Sequence, residues 1–415
     1  MYKAATIGLL VLTAGSAVAQ DAAHFQRILD PVTKQPALSA VDMTPDGRFI
    51  IGSMDTDGDD LPDTGYRWDR LTGEFLHIPT EIIGTGADPM SAISDDGQVI
   101  LGDIADGLDG IESTAGLWTA ETGWVSLGFL PNAGSCPSRS SGYELSGDGT
   151  IAVGLSWDEC SGRGFIWTAE TGMLELENLA NGGNRASVMS SDGSVIAGFA
   201  QGFTRTPAYW DGLSRDGTVV DPTYGATGEF YGVSDDGSIL LGSWNLDDDI
   251  YGSAVTLIDG VVTPIGAGSL LPGWGGNPMD ISDNDVIVGF DFLLGNRRSW
   301  IKPSGQNELM ETVSYINSLG AGIPEDTRLE VIQAISTDGK TVIGHTSGGV
   351  PAFLITLDYN CPADLTGDGV LDFFDVSDFL DAFAAQDPAA DFTNDGLFDF
   401  FDVSDFLDAF GAGCP

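Results

Sequence analysis

The stretch ISDDGQVILG, Ile93–Gly102, decides the fold. It opens on an apolar residue, passes through Ser-Asp-Asp-Gly, and continues as an apolar run that ends on glycine. An Asp-Gly step between apolar runs is a hairpin signal, because glycine takes the positive φ that such a turn requires. The pattern recurs as MTPDGRFIIG (Met43–Gly52), LSGDGTIAVG (Leu145–Gly154) and MSSDGSVIAG (Met189–Gly198). It returns as VSDDGSILLG (Val233–Gly242), ISDNDVIVG (Ile281–Gly289, one residue short) and ISTDGKTVIG (Ile335–Gly344). With Gly47, Gly97, Gly149, Gly193, Gly237, Asp285 and Gly339 as markers, the spacings are 50, 52, 44, 44, 48 and 54 residues.

Each copy has a second half. An aromatic strand follows, as in GYRWDRLTG (65–73), AGLWTAETG (115–123), GFIWTAETG (164–172) and PAYWDG (207–212), and then a short apolar strand such as EFLHI (74–78). Four short antiparallel strands per repeat of this length describe a blade of a β-propeller. The expected fold is therefore all-β: a seven-bladed β-propeller over 24–357, with a small α-helical pair of calcium loops over 361–415. The seventh copy stops at its third strand, Pro351–Leu357, and a spare strand, His24–Leu29, precedes the first copy. The N-terminal strand is expected to complete the last blade and satisfy its open edge. An open β-solenoid is the rival architecture, but it needs neither seven copies nor a complementary end strand.

The signature resembles the extracellular repeats of the HAF family, over about residues 40–357, including the connection ELMETVSYINSLG (308–320) ahead of the last copy. That family implies no particular reaction. The repeated Ser/Thr set (Thr44, Ser94, Ser146, Ser190, Ser234, Ser282, Ser336) and the Asp or Asn that follows it read as turn-forming groups that bond the backbone. Trp68, Trp118, Trp167, Trp210 and Trp300 read as one recurrent strand position that packs between blades.

In such a blade the tight 1–2 and 3–4 turns share one face, and the longer 2–3 and 4–1 loops share the other, where function more often resides. The loop face is acidic. Asp55, Asp57, Asp59 and Asp63 in DTDGDDLPD have the alternating spacing that oxygen-ligated Ca²⁺ favours, and resemble a thrombospondin-type-3 calcium loop in which Asp60 replaces the usual glycine. Trp157, Trp244 and Trp274 lie outside the repeated position and are candidates to reach this face and stack on sugars. There are three histidines, His24, His77 and His345, the first two in expected strands, and no HExxH, GxSxG or phosphate loop. No carboxylate pair is singled out for glycosidic chemistry, and no catalytic residue is assigned.

From Cys361 onward the chain holds 13 Asp and no Lys, Arg or Glu. Two near-duplicates, ADLTGDGVLDFFDVSDFLDAF and ADFTNDGLFDFFDVSDFLDAF, begin their loops at Asp364 and Asp391. Each fits an EF-hand loop. The first offers Asp364, Thr366, Asp368, the Val370 carbonyl, Asp372 and Asp375. The second offers Asp391, Thr393, Asp395, the Leu397 carbonyl, Asp399 and Asp402. Gly369 and Gly396 stand at the tight sixth position, so Ca²⁺ is the expected cofactor and folding is expected to be calcium-linked. After each loop an apolar stripe at helical spacing follows: Val376, Phe379, Leu380 and Phe383, then Val403, Phe406, Leu407 and Phe410. The arrangement resembles a dockerin, and Cys361 with Gly413-Cys414-Pro415 resembles the GC-type subtype. That resemblance implies a cohesin-like or other anchoring partner. The partner-reading positions are Phe373, Phe374, Phe400 and Phe401, a docking surface if exposed and core if buried.

Lys3, an apolar stretch from Ala4 to Ala14 and Ala17-Val18-Ala19 read as a signal peptide over 1–19, so the mature protein is expected to be secreted, extracellular or held at the cell surface. No segment is apolar enough to span a membrane. Four cysteines in an exported chain read as disulfides; of three pairings, Cys136–Cys160 and Cys361–Cys414 keep each bridge within one domain. A net charge of −46 from 62 acidic and 16 basic residues argues against nucleic acid and anionic lipid as partners. The expected function is a non-catalytic propeller for recognition or display, with extracellular glycan among its candidate ligands, anchored through the calcium module. The alternative is a polysaccharide-active extracellular enzyme, a glycoside hydrolase or lyase, carrying a dockerin. A purely structural layer component is the third reading.

Overall fold

The computed structural model describes residues 22–58, 61–79, 90–105, 113–131, 138–158, 161–202, 204–220, 227–245, 252–324, 326–346, 350–359, 362–366, 371–393 and 396–412. The expected signal peptide, all four cysteines, and Asp59, Asp368, Val370 and Asp395 lie outside the described residues.

Seven four-stranded antiparallel sheets form a ring of blades. The second blade is representative: Met90–Ile93, Ile100–Ala105, Ser113–Thr119 and Gly123–Gly128, each strand paired with the next. The seventh sheet is closed from the far end of the chain. Its own strands are Val331–Ile335, Thr341–Thr346 and Val350–Tyr359, and the fourth is Ala22–Arg27. His24 faces Thr356 and Arg27 faces Phe353 in antiparallel register, and the Ile28 N–H continues the ladder to the Ala352 carbonyl at 2.9 Å. The N-terminal closure expected above is the one observed. Helix α1 (Thr312–Ser318) follows the sixth blade inside the expected 308–320 segment, and the Leu319 carbonyl accepts from the Ala23 N–H at 2.9 Å, tying that connection to the closing strand.

The repeated hydroxyl builds the same turn seven times. Each of Thr44, Ser94, Ser146, Ser190, Ser234, Ser282 and Ser336 donates to the acid or amide two residues on, at 2.5–2.8 Å. Each also accepts the N–H of the residue four or five positions later. The turn marker has φ between +67° and +74° in all seven copies. In the sixth copy Asp285 adopts it, and Lys302 Nζ holds its carbonyl at 3.0 Å and its carboxylate at 2.8 Å. Removing a buried hydroxyl that satisfies both a donor and an acceptor costs about 1–3 kcal/mol. Ser190→Ala is thus expected to lower the urea midpoint followed by tryptophan fluorescence, whereas an unchanged midpoint would mean the hydroxyl contributes nothing.

One register expectation is corrected. Trp68, Trp118, Trp167 and Trp210 each face the residue two before the signature's last glycine, as in Ile50↔Trp68 and Ile196↔Trp210, but Trp300 faces Gly289 itself. It belongs with Tyr66, Phe165 and Phe353, which face Gly52, Gly154 and Gly344. Lys302 takes the tryptophan position. A shift of two residues leaves a side chain on the same face of a strand, so alternation in sequence cannot detect it. Trp118, Trp210 and Trp300 still pack in apolar clusters between neighbouring blades.

The C-terminal segment carries α2 (Phe373–Ala385), a single 3₁₀ turn at Pro388–Ala390, and α3 (Phe400–Ala412). The two copies pack through Phe379 and Phe406, whose rings stack at 4.0 Å and 5° with Phe392 edge-on to both. Val376, Phe383, Val403 and Phe410 flank them. The expected stripe is corrected at Leu380 and Leu407, which point to solvent, since the stacked phenylalanines already fill the narrow space between two short helices.

Candidate functional sites: the axial channel and the acidic loops

The first strand of every blade lines an axial channel of about 530 Å³. Six of these strands skip one residue of register at the same place: between Met90 and Ala92, Gly142 and Glu144, Ala186 and Val188, Phe230 and Gly232, Pro278 and Asp280, and Ile332 and Ala334. A bulge opposes two residues to one and breaks the in-out alternation, so consecutive side chains reach the same side. Tyr143 and Glu144, and Met279 and Asp280, line the channel together in this way.

At the turn face the blades are laced by main chain. The N–H groups of Asp95, Gly147 and Ser191 donate to the carbonyls of Gly147, Ser191 and Asp235, at 2.8, 2.8 and 3.1 Å. Those of Asp283 and Thr337 donate to Thr337 and Pro45, both at 2.9 Å, and Pro45, lacking an N–H, cannot pass the chain on to blade 2.

Burial inside this channel dominates its acids. Asp42 is pushed up to about 7 and Asp280 to about 8, and Glu144 lies well above the usual carboxylate range. Burial raises Asp95 and Asp235 as well. None of the described residues lining the channel is Lys, Arg or His. Towards the loop face, Arg185 bonds Glu229 at 2.7 Å, Arg205 bonds it at 3.2 Å, and the Arg185 guanidinium lies over the rings of Tyr143 and Phe199. Sequence reading missed these acids. Their signal was the residue just before each signature, which alternates unpredictably among Asp42, Ala92, Glu144, Val188, Gly232, Asp280 and Ala334.

On the loop face, oxygens of Asp55, Asp57 and Asp63 lie within 4.8 Å of one another, the group among the described residues that converges as a metal site would. Asp55 Oδ1 accepts the N–H groups of Asp57 and Gly58, and Asp63 accepts from the amide and hydroxyl of Thr56. Trp244 does not reach this face: it is fully buried, edge-on to Phe230. Trp157 and Trp274 are half-buried.

In the C-terminal loops, Asp375 and Asp402, the twelfth positions, are fully buried. Asp375 accepts from the amide and hydroxyl of Thr366 and from the Asp372 amide, at 3.1, 3.0 and 2.9 Å. Asp402 repeats this with Thr393 and Asp399 at 3.1, 3.0 and 2.8 Å. Gly396 sits at φ +78°, and its N–H donates to Asp391 Oδ2 at 2.9 Å. An all-oxygen donor set with buried carboxylates and no basic residue anywhere in 361–415 fits a hard divalent cation. The four candidate docking rings are exposed: Phe373 76 %, Phe374 65 %, Phe400 75 % and Phe401 66 %.

Among the described residues no helix is long and apolar enough to cross a membrane. No family model and no curated protein matches the chain. Solved structures do. Oligogalacturonate lyase from Vibrio parahaemolyticus is similar at 12 % identity and TM-score 0.54, over 81 % of this chain and 97 % of that one. The β-propeller domain of Cps50 (Swd1) from Myceliophteria thermophila matches at 12 % and TM-score 0.50, over 80 % and 99 %. TolB from Acinetobacter baumannii matches at 18 % and TM-score 0.38, over 54 % of this chain and about half (52 %) of its own length. At such identities the likeness speaks for fold alone: the chain is built on a seven-bladed β-propeller.

Proposed function

We propose that the protein is an exported recognition or display propeller, held to an anchoring partner by a calcium-dependent, dockerin-like module at 361–415. The observation that carries this reading is the pair of exposed Phe-Phe steps, Phe373-Phe374 and Phe400-Phe401, heading two helices of nearly identical sequence. Large apolar rings kept in water beside loops built for a cation are characteristic of a contact surface rather than a core. The −46 charge of the chain and the all-acidic charge of the module select a partner with an apolar groove and a basic rim, of cohesin type. With calcium bound, Asp375 and Asp402 would anchor each loop to its helix and so set the angle at which the rings are offered.

The test is calorimetric binding of the full chain to a panel of cohesin-type domains, with and without chelator. Binding that requires calcium and falls at least about a hundredfold in the Phe373→Ser, Phe374→Ser, Phe400→Ser, Phe401→Ser variant is expected, since hot-spot rings each contribute about 2 kcal/mol or more. Binding indifferent to both overturns the reading. So does turnover of a polysaccharide that a single loop-face carboxylate substitution abolishes.

A further inference from the structure

We infer that the seam between blades 2 and 3 is a binding cleft for a guanidinium group, the side chain of an arginine in a partner peptide, which takes the place that the chain's own Arg67 fills one seam earlier.

The repeat supplies the comparison. In the seam between blades 1 and 2, Arg67 reaches across, and its Nη1 donates to the carbonyl of Gly97, the turn marker of blade 2, at 2.7 Å. Its guanidinium lies over the Phe49 ring at 5.1 Å, and that of Arg48 lies over the same ring at 4.6 Å. Trp124, in the fourth strand of blade 2, closes this seam, with its Nε1 donating to the Pro79 carbonyl of blade 1 at 3.0 Å. A basic side chain meets a turn-marker carbonyl twice more: Arg70 at Gly47, at 2.9 Å, and Lys302 at Asp285, at 3.0 Å.

One blade on, the same places hold smaller residues. Leu117 stands where Arg67 does, facing Leu101 as Arg67 faces Ile51. Met173 stands where Trp124 does, facing Trp167 as Trp124 faces Trp118. Val99 replaces Phe49: a Cβ placed on Gly97 would meet the Phe49 ring, and one placed on Gly149, the turn marker of blade 3, would meet a Val99 methyl. These three exchanges leave a cleft of about 650 Å³ at the turn-face end of the seam. That volume is in the range of small-ligand sites. Leu117, Val125 and Ile151 give it apolar walls, and Gly149 lines it as Gly97 lines the filled seam. Trp167 lines it too and is half-buried, whereas Trp118 and Trp210 at the same strand position are buried.

Charge selects the occupant. The lining contains Glu170 and, among the described residues, no Lys, Arg or His. An indole face attracts a cation, and a guanidinium, more weakly hydrated than an ammonium, stacks on it at lower desolvation cost. The apolar walls suit the methylene stem of an arginine, whose head then meets a carboxylate and a turn carbonyl. A purely apolar ligand would match the walls and leave the acid unused. The −46 charge of the chain draws the same kind of partner. The cleft lies wholly in the propeller and uses no residue of 361–415, so its failure and that of the anchoring module are separable.

The test titrates the full chain with the peptide acetyl-Gly-Arg-Gly-amide and with its citrulline counterpart, which keeps the shape and loses the charge. Calcium is held constant, and about 0.5 M salt screens diffuse attraction to the acidic surface. Ligand-observed NMR is expected to show saturable binding of the arginine peptide, at least about tenfold tighter than the citrulline one. Leu117→Arg should abolish it, because the cleft then receives a guanidinium from its own wall, as the preceding seam does from Arg67. Glu170→Gln, in an exposed turn, should weaken it about threefold and decides the matter if Leu117→Arg does not fold. Equal affinity for the two peptides would make this a neutral apolar pocket and overturn the proposal. So would the absence of saturable binding, or an affinity that neither substitution changes.

Discussion

Stripping calcium from the full chain is expected to abolish the helical circular-dichroism signal of α2 and α3 while leaving tryptophan emission unchanged. The proposed sites draw on Asp364, Thr366, Asp372 and Asp375, and on Asp391, Thr393, Asp399 and Asp402, in a segment of 13 Asp without a single cation. Its apolar core is small, centred on Phe379 and Phe406. A core of this size cannot offset clustered like charge, so metal binding and folding become one equilibrium. Calcium at a hundred times its dissociation constant would stabilise each loop by about 2.7 kcal/mol. Calorimetry should assign two ions to these two loops. Asp375→Ala and Asp402→Ala should each remove one, because each deletes a buried carboxylate that accepts three hydrogen bonds from its own loop. Helices that persist in chelator would refute the calcium sites and, with them, the docking module.

Gly154→Val and Gly198→Val are expected to destabilise the propeller more than any surface change. A Cβ on Gly154 would stand 2.0 Å from the Ser141 carbonyl oxygen and 2.9 Å from the Phe165 ring, and one on Gly198 would stand 2.0 Å from the Arg185 carbonyl oxygen. The bulge in each inner strand presses that carbonyl over the glycine, so the obstacle is backbone and cannot rotate away. We expect a loss above about 3 kcal/mol, near the top of the overpacking range. For a domain of this size that lowers the melting midpoint by about 4 °C or more, or prevents accumulation of folded protein. Gly123→Ala is the control. Gly123 has φ +64° but open space around it, so the change should cost only about 1–2 kcal/mol. Equal effects at the two kinds of glycine would show that backbone conformation, rather than the close approach, explains the signature's terminal glycine.

Much of this architecture was legible in the chain itself. The blade number, the tight turns, the closing strand ahead of Val41 and the twin acidic loops all follow from hydrogen-bonding and alternation rules that act over a few residues. Serine, aspartate and glycine in ISDDG form the same turn wherever they occur, because donor, acceptor and positive φ lie within six positions. Phe373, Phe374, Phe400 and Phe401 were also readable as candidate docking residues, but their exposure was not. A helix shows its stripes in sequence without showing how much of each stripe its neighbour can cover, and for the same reason Leu380 and Leu407 were assigned inward. Trp300 was misplaced because a two-residue shift preserves the face. The channel left no pattern to find. Its carboxylates come from blades 1, 3 and 6, more than a hundred residues apart, at the point where a bulge breaks alternation. Only when seven inner strands converge on one axis do Asp42, Glu144 and Asp280 come to line the same channel.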